Sequence, residues 1–159
     1  MNPVFKKLNY KAQKLLYIVN APASFTKEMG EMKHLAGIKT SLTGAKEVEF
    51  FIAFVTKQNE VDDLAKKISS VISDDGVLWF VYPKGSSKKY KCEFNRDNGW
   101  VELGKLGFEP VRMVAIDEDW SALRFRRTEN IKTMTRSFAI SETGKKKVAA
   151  AKKKTPKKK

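Results

Sequence analysis

The chain has 159 residues, a length that fits one domain, with 42% apolar residues and 17 aromatic side chains, enough for a core without a covalent staple. A single cysteine, Cys92, excludes an internal disulfide, and one cysteine with one histidine excludes a structural zinc set. The net charge of +14 is lopsided: nine lysines and no acid fall within residues 145–159, leaving 23 basic and 18 acidic side chains in the body.

The opening "MNPVFKKLNYKAQKLLYIVNAP" has no long apolar stretch with a small-residue cleavage site, so no signal peptide is expected. No run approaches the roughly 20 apolar residues of a membrane helix, and a cytoplasmic protein with no membrane partner is expected. "QKLLYIVNA" (13–21) reads as a buried strand ending near Asn20, with Pro22 suited to a first helical turn. Phe25, Met29, Met32 and Leu35 then recur at helical spacing as far as Gly37. Ile38, Thr40 and Leu42 alternate as a short edge strand, which Gly44 breaks.

"EVEFFIAFVT" (47–56) is almost continuously apolar, the mark of a strand covered on both faces. Val61, Leu64, Ala65, Ile68, Val71 and Ile72 form a helical stripe, with Glu60, Asp62 and Asp63 in its first turn, Thr56 or Asn59 as the cap, and "SDDG" as its end. Val77 to Tyr82 form a second buried strand. "RDNGWVELGKLGF" predicts a short helix with Trp100, Leu103 and Leu106 inward. "PVRMVAI" and "WSALRFRR" flank "DED" as an antiparallel hairpin. Residues 128–144 read as an ambiguous arm. Strands alternating with helices predict an α/β fold, a single Rossmann-like domain over residues 1–144 with a mostly parallel sheet and a C-terminal antiparallel hairpin. Residues 145–159 read as a disordered lysine-rich tail.

Ligands of such sheets bind at the C-terminal ends of the strands. Those ends offer Asn20, Thr56 and the loop Pro83, Lys84, Gly85, Ser86, Ser87, Lys88. This loop could cradle a phosphate through amide, hydroxyl and ammonium groups, or it could be a solvated loop after a buried strand. Neither G-x-x-x-x-G-K-[ST] nor G-x-G-x-x-G is present. His34 stands at a helix end and Cys92 has no partner that would mark a reactive thiol, so no catalytic residue and no metal ligand is assigned. Asp117, Glu118 and Asp119 fit either a cation site or the polar tip of a hairpin. Arg124 and Arg126 share one face of the last strand, either as a basic stripe beside a Trp120 platform or, the favoured reading, as charge blunting an edge strand. The lysines at Lys145, Lys146, Lys147, Lys152, Lys153, Lys154, Lys157, Lys158 and Lys159 suit non-specific contact with nucleic acid or another polyanion, with a salt slope of at most about −8 on duplex DNA.

From residue 47 onward, "VEFFIAFVT", "DDGVLWFVYPK", "LGKLGF" and "PVRMVAI…WSALRFRR" resemble the second half of a class I methyltransferase fold. The chain also resembles an uncharacterised family of small bacterial proteins with this fold, on Gly76–Val77–Leu78–Trp79, Pro83–Lys84, Gly107–Phe108, Asp119–Trp120–Ser121 and Arg124. The likeness spans roughly residues 15–127. It implies a methyltransferase-like sheet. Methyltransferases of this class carry a glycine-rich turn after the first strand, where this chain has "VNAPASF", and no acid ends a second strand, so no cofactor is expected. The leading expectation is a non-enzymatic protein contacting nucleic acid or another polyanion through its tail. The alternative is an S-adenosylmethionine-type or nucleotide ligand-binding protein or methyltransferase using the strand mouths. A third is an interaction scaffold built on the hairpin.

Overall fold

A computed structural model describes residues 2–94 and 98–131. The apolar runs become β1 (Leu15–Val19), β2 (Gly37–Lys39), β3 (Val48–Phe54) and β4 (Ile72–Pro83), and the hairpin becomes β5 (Phe108–Ala115) and β6 (Trp120–Arg127). They form one six-stranded sheet in the order β2-β1-β3-β4-β6-β5. The first four strands are mutually parallel, and β6 is antiparallel to both β4 and β5, so β6 alone runs against the rest. This is the mostly parallel α/β sheet with a terminal antiparallel hairpin that the sequence predicts.

Period-two alternation sends the strand side chains into two cores. On one face Phe51, Leu78, Phe80 and Phe125 pack under Val61, Ala65 and Ile68 of α3 (Gln58–Ser69) and Leu103 of α4 (Val101–Lys105). On the other, Ile18, Phe50, Ile52 and Trp79 pack under Phe5 of α1 (Pro3–Lys7) and Met32 of α2 (Thr26–Met32). Each such side chain contributes about 1.5–3 kcal/mol of transfer free energy when fully buried.

The helix α1 is not anticipated by apolar periodicity because it is only five residues long. Its local signal is Asn2–Pro3. The Asn2 side-chain oxygen accepts from the amides of Val4 (2.8 Å) and Phe5 (3.2 Å), and Pro3 occupies a first-turn position where no amide is needed. Trp79 fastens α1 to the sheet. Its ring is fully buried, and Nε1 donates to the carbonyl of Leu8 at 2.9 Å.

Several local expectations change. Neither Thr56 nor Asn59 caps α3: Lys57 holds that position, and the Glu60 carboxylate reaches back to accept from the amides of Lys57 (3.1 Å) and Thr56 (2.9 Å). "SDDG" does not end the helix but lies inside β4, where the register slips between the pairs Val48–Ile72 and Phe50–Val77. Asp75 takes a left-handed conformation there (φ 56°), and a side chain on Gly76 would strike the carbonyl of Val48 at 2.8 Å. Arg124 and Arg126 do not blunt an edge, because β6 is internal and the outer strand is β5. The arm beyond Ile131 and the tail lie outside the described residues.

Removing the indole N–H while keeping an aromatic ring tests the α1 anchor. Trp79→Phe is expected to lower unfolding free energy by about 2 kcal/mol in urea denaturation, through the lost hydrogen bond and residual cavity. Asn2→Ala is expected to cost about 1 kcal/mol.

Candidate functional site

The ladder between β4 and β6 ends at the pair Pro83–Trp120. Proline has no amide to continue it, so the chain turns away at this point. The departing loop is pinned to the β5–β6 turn. The Lys84 amide donates to the Asp119 carbonyl (2.8 Å), and the Ser87 hydroxyl donates to the Asp119 carboxylate (2.8 Å). The same Ser87 oxygen accepts from the amides of Lys89 (3.3 Å) and Tyr90 (3.1 Å). The acidic turn is shaped from within, since the Asp117 carboxylate accepts from the amides of Asp119 (2.8 Å) and Trp120 (2.9 Å). Tyr90 lies against Trp120 with ring centroids 4.8 Å apart.

Further along, the Glu93 amide donates to the Thr56 carbonyl (2.9 Å), and the Glu93 carboxylate accepts from the Gln58 amide (2.9 Å). The Gln58 side chain donates to the Gly99 carbonyl (2.8 Å) and to Asp62 (2.9 Å). The first turn of α3 is therefore occupied by two carboxylates, Glu60 and Glu93. The amides of Thr56, Lys57 and Gln58, which would otherwise attract an anion, are taken up by these carboxylates.

Between these fastenings lies an open cleft of about 800 Å³. Tyr82, Ser121 and Met113 line it from the sheet, and Phe94 lines it from the loop that returns to α4. Lys84, Gly85, Ser87, Tyr90 and Lys91 also border it, with Cys92, Glu93 and Asn98. The Tyr82 hydroxyl lies 3.6 Å from the Met113 sulfur. Lysines and aromatic side chains thus border one concavity, a lining suited to a ligand that is part flat and part anionic. Among the described residues no group of three or more His, Cys, Asp or Glu side chains could hold a metal ion.

Of the strand-end residues singled out in the sequence, Pro83, Lys84, Gly85 and Ser87 border this cleft, while Ser86 and Lys88 are exposed on the same loop. Asn20 and Thr56 do not line it. Asn20 is exposed after β1 in a left-handed conformation (φ 59°), and the Thr56 hydroxyl and amide both face the Glu60 carboxylate. His34 is exposed beyond the end of α2, away from the cleft lining. The lysines of 145–159 lie outside the described residues. Tyr82, Tyr90, Lys91, Phe94 and Ser121 were not singled out. For Tyr90 and Lys91 the available signal was the basic and aromatic interleaving of "KKYK".

The fold class raises S-adenosylmethionine as a cofactor, and the residues at the β1 and β2 ends do not fit it. The turn after β1 is Asn20–Ala21–Pro22 with no glycine, and Pro22 supplies no amide. β2 has three residues and runs into Thr40–Ser41 rather than an acid. A smaller cleft of about 400 Å³ beside Val19 is lined by Ser41, Leu42, Thr43 and residues of α3 and its C-terminal end, with no carboxylate among them.

No protein-family model matches the chain, and no curated protein matches it in sequence. Solved structures similar to the chain are found at low identity. The chain is similar to a proposed type 11 methyltransferase from Sulfolobus solfataricus at 12% identity and TM-score 0.48, over 83% of this chain and 79% of that one. It is similar to the [4+2]-cyclase SpnF at 12% identity and TM-score 0.44, over 79% and 70%. A protein of the NADB-Rossmann superfamily from Streptococcus agalactiae matches at 11% identity and TM-score 0.43, over 80% and 68%. The fold is Rossmann-like and methyltransferase-like. The expectation of a non-enzymatic protein acting through its tail is corrected: solved structures similar to this chain are described as a methyltransferase and a cyclase. The physical counterpart of that correction is the open cleft at the β4 and β6 mouth. No helix of the described residues is long and apolar enough to cross a membrane.

Burial raises the Cys92 pKa, helped by the Glu93 and Glu60 charges and opposed by a backbone hydrogen bond at Phe94. A raised pKa leaves less thiolate at any given pH. Alkylation of Cys92 by iodoacetamide is therefore expected to be slower than that of a free cysteine at neutral pH, with its pH–rate midpoint displaced upward. A midpoint at or below that of the free amino acid would contradict the burial.

Proposed function

We propose that the protein binds a nucleotide-type ligand in the cleft at the mouths of β4 and β6. The observation that carries this reading is that Lys84 and Lys91 border one concavity of about 800 Å³ together with Tyr82, Tyr90 and Phe94. A base would lie against the aromatic surface, where stacking contributes about 1–3 kcal/mol. Its phosphate would meet the two ammonium groups. Among the described residues the one carboxylate bordering the cleft, Glu93, accepts from the Gln58 amide. Phosphate suits this lining better than a sulfonium cation, because two lysines repel the latter. The bacterial, cytoplasmic setting and the kinship with small bacterial proteins of this fold belong to the same proposal.

Calorimetric titration with AMP, ATP and S-adenosylmethionine tests it. AMP and ATP are expected to bind and S-adenosylmethionine to give no heat. Lys91→Ala, at an exposed position, is expected to weaken nucleotide binding by about tenfold. Absence of heat with both nucleotides, or equal affinity in the variant, would overturn the reading. Heat with S-adenosylmethionine alone would favour the methyltransferase alternative over it.

A further inference from the structure

The crossover from β2 to β3 leaves a second cleft beside α3, independent of the ligand proposed above. Both strands run parallel to β1, which lies between them, so residues 40–47 must cross over β1. A crossover between parallel strands normally takes a dozen or more residues and is built as a helix that covers the sheet. This one runs only from the end of β2 at Lys39 to the start of β3 at Val48 and contains no helix. Two of its side chains, Leu42 and Ala45, are half-buried and pack against the core that holds Tyr17 and Val19 of β1. The space that a helix would fill remains as the cleft of about 400 Å³. Its lining has two chemistries. Val19, Leu42, Leu64 and Val71 supply apolar surface. Leu64 and Lys67, three residues apart, share one face of α3, and Lys67 is the one charged residue of the lining among the described residues. It enters no ion pair among the described residues. Hydroxyls complete the lining. That of Ser70 donates to the Lys67 carbonyl (2.9 Å). The Ser41 oxygen accepts from the Thr43 amide (3.4 Å), which leaves its own proton to donate elsewhere. Ser41, Thr43 and Lys67 are all exposed, so a ligand in the cleft can reach them.

We propose that this cleft binds a monocarboxylate with a hydrocarbon body, of the size of a medium-chain fatty acid. The hydrocarbon would lie along Leu42, Leu64 and Val71, and the carboxylate would meet the Lys67 ammonium and the Ser41 hydroxyl. The volume falls within the roughly 300–1,000 Å³ of small-molecule sites, which pair apolar walls with a few polar groups in the same way. One cation matches a monoanion. A phosphate dianion would bring a charge with no partner against apolar side chains, and an alkyl ammonium would be repelled by Lys67.

Amide chemical-shift mapping of the full-length protein with sodium octanoate, kept below its micelle concentration, tests the site. Saturable perturbations are expected at Leu42, Thr43, Leu64, Lys67 and Ser70. From butanoate to octanoate, each added methylene is expected to tighten binding by up to about fourfold. Octylamine and 1-octanol, which keep the chain and change the head group, are expected to bind more weakly than octanoate. Lys67→Met keeps an apolar stem at an exposed position. It is expected to leave the melting temperature nearly unchanged and to weaken octanoate binding by about fivefold. Lys66→Met, at the exposed neighbour that does not line the cleft, is expected to bind octanoate as the parent protein does. No saturable perturbation, perturbations grouped in the larger cleft, or affinity indifferent to chain length would overturn the proposal. So would octylamine binding as tightly as octanoate, or the two lysine variants binding octanoate equally.

Discussion

The architecture depends on one strand having two different neighbours. β4 pairs in parallel with β3 on one side and antiparallel with β6 on the other. From Leu78 to Val81 its side chains are entirely buried, alternating between the two cores. Trp79 secures α1 on one face. On the other, Phe80 meets Trp100 with ring centroids at 6.1 Å and Phe125 at 5.9 Å, which seats α4 and β6.

The same strand positions the cleft. Because β6 runs against β4, the start of β6 lies beside the end of β4, and the acidic turn before Trp120 arrives at the point where Pro83 ends the ladder. Asp119 can then hold Lys84 and Ser87 in place. The return of the loop to α3 through Glu93 has the opposite effect on the neighbouring mouth. It fills the helix N-terminus with a carboxylate and, with Glu60, makes that end unreceptive to an anion. What stays open beside β4 and β6 is the cleft bordered by Lys84, Tyr90 and Lys91.

The fold was legible in the sequence because its strands are long apolar runs and α3 carries a clear helical stripe. α1 was not, because five residues give no measurable periodicity and its tie to the sheet is a contact between Trp79 and Leu8, far apart in the chain. The position of β6 inside the sheet was equally hidden: Arg124 and Arg126 look like solvent-facing charge, and only the strand order shows that their strand is flanked on both sides. Four of the six loop residues from Pro83 to Lys88 are found on the cleft, while its aromatic lining was invisible because Tyr82 reads as part of a buried strand and Phe94 falls in a stretch to which no element is assigned. Asn20 and Thr56 occupy the strand ends that general rules select, but the carboxylates closing the α3 end come from side-chain geometry that no local pattern predicts.

The central claim is that the nucleotide site lies at the β4 and β6 mouth rather than at the ends of β1 and β2. Amide chemical-shift mapping of the full-length protein with AMP tests it directly. The account predicts perturbations grouped at Tyr82, Lys84, Ser87, Tyr90, Lys91 and Ser121. Perturbations grouped at Asn20, Ala21, Thr40 and Ser41, or none at saturating AMP, would contradict it.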